Sequence, residues 1–217
     1  MKTDKNKTKE VQEPQGKKKS KIREYIEAIV FAVLIALFVT TFIVKTYKIP
    51  SGSMKPTLLI GDQIMVNKFI YGVKIPFFRK TLIPLGEPQR GDIVVFIFPV
   101  DRSKDFIKRV IAVSGETIEI KNKKIFLNGR EYPDTAGVYV DDQVIPAEVN
   151  PRDNFGPAVV PPNSIFVMGD NRDESLDSRF WGFVDLKDVE GKAFIIYWSW
   201  DKENTALRWK RIGSLLQ

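Results

Sequence analysis

Residues 1–20 are polar, with no apolar period, and read as a disordered tail. The pattern then inverts. From Ala28 to Val44 the chain runs AIVFAVLIALFVTTFIV, 17 residues without a charge. At ~1.5 Å per residue that reaches roughly 25 Å, enough to span a bilayer with help from Tyr25, Ile26 and the flanks. A core helix would show a polar stripe, and only Thr40 and Thr41 interrupt this run. A cleaved signal would end on a small-x-small site, whereas this run ends Phe42-Ile43-Val44-Lys45. The pattern predicts a single transmembrane signal-anchor helix over 25–44.

Beyond residue 45 the apolar runs become short and are punctuated by Pro and Gly. Ile93–Phe98, Val110–Val113, Thr117–Ile120, Ser164–Met168 and Ala193–Trp198 read as strands. Lys124–Tyr132 reads as a hairpin, because Asn128-Gly129 supplies the positive φ of a type I′ turn. Tyr132–Pro162 is rich in Pro, Asp and Asn and reads as a loop or small insert near 120–162. The fold class is mostly β: a tail (1–24), one membrane helix (25–44) and a β-rich domain (45–217).

Charge locates the membrane more firmly. The formal net charge is +7 and the pI about 9.4. Residues 1–24 alone carry +5 and the rest of the chain +2. The basicity therefore belongs to the tail, which argues against nucleic acid as a partner. Lys17, Lys18, Lys19, Lys21 and Arg23 precede the apolar run, and only Lys45 and Lys48 closely follow it. The positive-inside rule puts the N-terminus in the cytoplasm and everything after residue 45 across the membrane.

The chain has no histidine and no cysteine. A Ser-His-Asp triad, a cysteine nucleophile and zinc sites built on Cys or His are all excluded. A serine nucleophile here needs a lysine base, neutral near pH 7 through apolar burial. The serine candidate lies in Ile49-Pro50-Ser51-Gly52-Ser53-Met54-Lys55-Pro56-Thr57-Leu58, directly after the apolar run. The plain alternative is a Ser/Gly/Pro linker. The lysine candidate is Lys108, in Asp105-Phe106-Ile107-Lys108-Arg109-Val110-Ile111. In a strand, Lys108 and Arg109 point to opposite faces. If one is buried for chemistry it is the lysine, since arginine stays charged. The alternative is an edge-strand lysine that guards against aggregation. A third segment, Met168-Gly169-Asp170-Asn171-Arg172-Asp173-Glu174-Ser175-Leu176-Asp177-Ser178-Arg179, is a dense polar loop after an apolar strand. Its alternating acids and arginines predict ion pairs; an ordinary solvated loop is the alternative. Arg172 breaks an EF-hand pattern, and no metal or cofactor is called for. Ser199-Trp200-Asp201-Lys202 fits S-x-x-K, but Ser-Asp-Asn and Lys-Thr-Gly are missing.

Taken in order after one apolar run, Ser-Gly-Ser-Met-Lys-Pro-Thr-Leu, Ile-Lys-Arg-Val-Ile-Ala-Val and Gly-Asp-Asn-Arg-Asp-Glu-Ser-Leu-Asp-Ser-Arg closely resemble bacterial type I signal peptidases. The resemblance covers roughly residues 25–200. It implies a membrane-bound serine endopeptidase with a curled antiparallel β-sheet catalytic domain and no cofactor. Its substrates would be secretory preproteins, cut after small residues of the Ala-x-Ala type. It implies the bacterial cytoplasmic membrane, contact with the phospholipid bilayer and proximity to the protein-export translocase. By position, Ser53 is the nucleophile and Lys108 the general base. Ser51 completes the oxyanion hole, and Ser175 orients the lysine amine. Asp170, Asp177 and Arg179 shape the site; Ile49, Pro50, Met54, Leu58 and Ile107 wall the substrate pockets. Ser114 stands where the family often has Pro, and the insert is short. With Ser53 nine residues beyond Val44, the nucleophile is expected near the bilayer surface, favoured by exposed Ile49, Met54 and Leu58. Two other readings are a self-cleaving Ser-Lys repressor, which would be cytosolic with a DNA-binding module, and an inactive membrane-anchored β module.

Overall fold

The computed structural model describes residues 21–38, 43–74, 81–83 and 85–216, in two units divided after Phe38. The first contains the helix α1 (Lys21–Phe38). Lys21–Glu24, predicted as part of the tail, form its first turn. Among the described residues no helix is long and apolar enough to cross a membrane. The predicted 25–44 span is thus seen as helix only to Phe38, and residues 39–42 lie outside the described ones. Its last residue is not helical. Val44 opens strand β1 (Val44–Lys48) and pairs with Asn67. β-branched Val44 and Thr46 suit a strand, and the ladder satisfies their backbone groups.

The second unit is built on an open, eight-stranded antiparallel sheet. Its order is β1, β2 (Asp62–Asn67), β13 (Val189–Asp201), β5 (Ile93–Ile97), β6 (Asp105–Val113), β11 (Ser164–Met168) and β12 (Val184–Asp185), with β14 (Ala206–Leu207) on β13. The predicted strands are present, several of them longer. β1 and β2 were not legible as strands, because Tyr, Lys, Gln and Asn interrupt their apolar residues. In β2 only Asp62, Ile64 and Val66 are buried, the alternation of a sheet with one buried face. β5 is buried at every position, as its unbroken IVVFI demands. β3 (Val73–Lys74) and β4 (Thr81–Ile83) pair in a separate ribbon.

The predicted insert is a second sheet, ordered β10 (Phe155–Val159), β7 (Thr117–Lys121), β8 (Lys124–Leu127) and β9 (Arg130–Glu131). Asn128 and Gly129 have φ of 51° and 77°, as the hairpin required. β10 lies inside the stretch read as loop; Gly156 and Pro157 masked it, and its register shifts across them.

Among the described residues three clusters form the core. One joins Ile49, Met54 and Leu58 to Ile64, Val66, Ile93, Val95, Ala193 and Ile196. Ile49, Met54 and Leu58 are therefore not exposed: their relative exposures are 2%, 1% and 0%. They fold the segment after β1 down onto the sheet, each burial contributing about 1.5–3 kcal/mol. That anchored segment carries Ser51 and Ser53.

Candidate active site

Residues 52–55 close a turn, with Lys55 N–H donating to the Gly52 carbonyl at 3.0 Å. Two anchors fix it from outside. Asn171 N–H donates to the Ser53 carbonyl at 3.1 Å, and Asn171 Nδ2 reaches the Gly52 carbonyl at 3.4 Å. Facing the turn is β6, where Lys108 lies opposite Val94 and Arg109 opposite Ile93. Lys108 Nζ sits 2.7 Å from Ser53 Oγ and donates to the Ile107 carbonyl at 3.1 Å. The Phe106 ring centroid lies 5.5 Å from the amine. Phe106 stacks on Phe98 at 4.2 Å, and Trp181 packs edge-on against both. Burial pulls the Lys108 amine down to about 8, against Asp177 and Asp170, which raise it, and with Arg179, which lowers it. Among the described residues no carboxylate lies in direct contact with it.

A cleft of about 360 Å³ opens over this pair, lined by Pro50, Ser51, Ser53, Phe106, Ile107 and Leu176 among others. Of the five predicted pocket walls, Pro50 and Ile107 are on the cleft. Ile49, Met54 and Leu58 are in the core behind it, because a segment with buried flanks has only its turn to offer to solvent. Ser51 is exposed on the cleft.

Most of the polar loop is withdrawn from solvent, Glu174 and Leu176 being its exposed residues. It buries Asp170, Asn171, Arg172, Ser175, Asp177 and Arg179, and it is held by matched charges. Asp170 accepts Arg109 Nε and Nη2, each at 2.8 Å, and Thr57 Oγ1 at 2.6 Å. Asp177 caps the short helix α2 (Ser178–Trp181) and takes Arg179 in a two-toothed pair, both contacts 2.8 Å. Asp177 also accepts Gly169 N–H at 3.1 Å. Such forks fix orientation as well as charge. Ser175 sits beside the turn but does not hold the lysine. Its buried Oγ makes no hydrogen bond among the described residues, and the expected bond to Lys108 is not formed. A Cβ on Gly169 would overlap Ser175 Oγ and the Ser53 carbonyl oxygen, so only glycine lets these two approach.

Reading the sequence singled out one buried cation on β6, and both neighbours are buried, Lys108 at 3% and Arg109 at 7%. The carboxylate of Asp170, distant in sequence, makes the second tolerable. Sequence reasoning also passed over Asn171, Gly169 and Thr57. All three stand inside the family motifs, Asn171 and Gly169 in Gly-Asp-Asn and Thr57 in Lys-Pro-Thr-Leu, but the contacts they make are long-range. The S-x-x-K serine is structural: Ser199 Oγ donates to Asp62 at 2.6 Å.

Residues 22–198 match the family described as signal peptidase, peptidase S26. The chain is 36% identical to signal peptidase I of Pseudomonas aeruginosa, covering 88% of this chain and 78% of that one. It is 36% identical to signal peptidase I of Aquifex aeolicus, covering 82% and 85%. A crystal structure of a signal peptidase I from Enterococcus faecalis aligns at 30% identity with a TM-score of 0.40, over 49% of this chain and 97% of that one. With that match running through the turn, β6 and the polar loop alike, the chain belongs to the signal peptidase family, peptidase S26, and is a hydrolase of the signal peptidase I type.

Proposed function

We propose that this chain is a membrane-bound serine endopeptidase that removes signal peptides from exported preproteins, with Ser53 as nucleophile and Lys108 as general base. The observation that carries it is the 2.7 Å approach of Lys108 Nζ to Ser53 Oγ in a cleft where burial brings the amine to about 8. Neutral Lys108 takes the Ser53 proton as Oγ attacks the carbonyl after a small residue. The ammonium then protonates the leaving amine, and water resolves the acyl-enzyme. Ser51, beside Ser53 on the cleft, acts with the Ser53 N–H on the oxyanion. Its loss slows the reaction on the order of 10²–10³-fold without abolishing it. Ser175, whose Oγ lies against Gly169 beside the Ser53 carbonyl, orients the Lys108 amine in this reading. Asp170, Asp177 and Arg179 hold the loop, while Pro50 and Ile107 face the substrate and Ile49, Met54 and Leu58 support that wall from the core. A small cleft with apolar sides suits Ala-x-Ala substrates.

The apolar run from residue 28, the basic residues before it and the short distance to Ser53 support a single cytoplasm-to-outside span. They also support a catalytic domain beyond the bacterial cytoplasmic membrane, against the bilayer and near the translocase. Because the base is half-protonated at about pH 8, kcat/KM should rise tenfold per unit below that pH and level above it. The test is cleavage of a purified preprotein by the detergent-solubilised chain and its Ser53→Ala variant. A fragment ending in a small residue, released by wild type alone, supports the reading. Equal cleavage by both sinks it.

A further inference from the structure

We propose that Asp134, in the segment leaving the second sheet, is a positioning residue for the Ser53–Lys108 pair, acting through Arg172 on Gly169. The inference rests on the reading of that pair given above. Arg172 is fully buried, and a buried guanidinium needs a carboxylate. Asp134 provides it: Nη1 and Nη2 both donate to its oxygens, the latter at 2.7 Å. The fork is planar and rigid, so engaging its two outer nitrogens sets where the third points. That third nitrogen, Nε, donates to the Gly169 carbonyl at 3.0 Å.

Gly169 is the residue on which the nucleophile's carbonyl and Ser175 converge. Its N–H is held by Asp177 and its carbonyl by Arg172, so its position follows both acids. Asp134 is itself fixed. Gly137 N–H donates to its Oδ1 at 3.1 Å, and a Cβ on Gly137 would overlap the carboxylate and come within 2.8 Å of Arg172 Cζ. The next residue then pairs with the loop. Val138 N–H donates to the Asp170 carbonyl at 2.7 Å, and Arg172 N–H returns to the Val138 carbonyl at 2.9 Å. Residues 134–138 are thus a strap along the polar loop. Asp134 does not line the cleft, so its loss should misplace the reacting groups and leave substrate binding largely intact.

The test uses the full chain in detergent with a preprotein substrate. Active sites are counted with an acylating inhibitor, so that kcat refers to folded enzyme. Asp134→Asn keeps the shape and removes the charge. Its kcat per site should fall on the order of 10–100-fold, as ångström-scale misplacement does, with KM within about threefold by the same reasoning. Asp134→Glu should recover part of the loss. Asp134→Asn added to Arg172→Gln should cost nothing beyond Arg172→Gln alone. A lower Tm with unchanged kcat per site would make the strap merely structural and overturn the proposal. Additive losses would overturn it too, by placing the action of Asp134 elsewhere. Should Asp134→Asn not fold, Asp134→Glu and Gly137→Ala take its place, and full kcat per site in both is the overturning result. Cleavage that persists in Ser53→Ala removes the reading of the pair and this inference with it. Cleavage lost in Ser53→Ala but intact in Asp134→Asn removes this inference alone.

Discussion

Lys108 and Arg109 are consecutive, both buried and both basic, yet the two faces of β6 treat them oppositely. On one face Lys108 meets Ser53, the Ile107 carbonyl and the Phe106 ring, and burial drives its amine down to about 8. On the other, Arg109 meets Asp170 in a two-toothed pair and the Gly91 carbonyl at 2.7 Å. Burial without a carboxylate in contact makes a base; burial with one makes a fastener. The chain uses lysine where the proton must leave and arginine where charge must stay.

Exchanging the two chemistries gives the largest effect. Lys108→Arg puts a permanent charge on the face that has no carboxylate in contact with it. Turnover should fall at least about 10³-fold, since no base remains, and Tm should drop sharply. Arg109→Lys keeps the sign of the charge beside Asp170 and should leave measurable turnover. Comparable turnover in the two variants would erase the distinction between the faces.

Next comes Asp170→Asn, which leaves Arg109 buried opposite a neutral amide. Removing one partner of a buried pair costs about 3–5 kcal/mol. Urea unfolding should show that loss as a lower midpoint at unchanged slope. A loss under about 1 kcal/mol would mean that water reaches the pair as it reaches surface pairs.

Lys108→Met isolates the burial of the lysine. The folded amine sits near 8 against an ordinary 10.5, so between these values the unfolded chain binds more protons. Wild-type stability therefore carries a full penalty below pH 8, relieved as pH rises toward 10.5. From that span the penalty is of order 3 kcal/mol. Lys108→Met should be inactive yet more stable at pH 7, and its advantage should fade as pH rises through 8 to 10.5. A pH-independent difference would show that packing, not charge burial, separates the variants.

How much of this was legible in sequence follows the same division. Lys108 could be read because an apolar run with one lysine is a local pattern, and Ser53 because Pro and Gly frame its turn. Partners could not be read. Arg109 and Asp170 are 61 residues apart, and only the pairing of β6 with β11, Met168 against Arg109, brings them together. The exposure of Ile49, Met54 and Leu58 was misjudged for a related reason. Beside a predicted membrane they look like surface, but the return of the chain into β2 turns them onto the sheet. β1 and β2 were missed because their buried residues alternate with Lys, Gln and Asn, and β10 because Gly156-Pro157 interrupts it.

The smallest effect tests the fastener at its edge. Thr57 Oγ1 donates to Asp170 Oδ2 at 2.6 Å and ties the serine segment to the loop from the side away from the cleft. Thr57→Val keeps the shape and removes that one donor, while both Arg109 contacts to Asp170 remain. A single hydrogen bond to a charged acceptor is worth about 1.5–3 kcal/mol at most, and the retained arginine should hold the loss near 1 kcal/mol. For a chain of this size that lowers Tm by about 2–4 °C. Turnover should stay within about threefold of wild type, because the oxyanion donors and the base are untouched. A loss as large as that of Asp170→Asn would mean that the threonine, not the arginine, sets where Asp170 sits, and the polar face of β6 would then be fastened from the serine segment rather than from the strand.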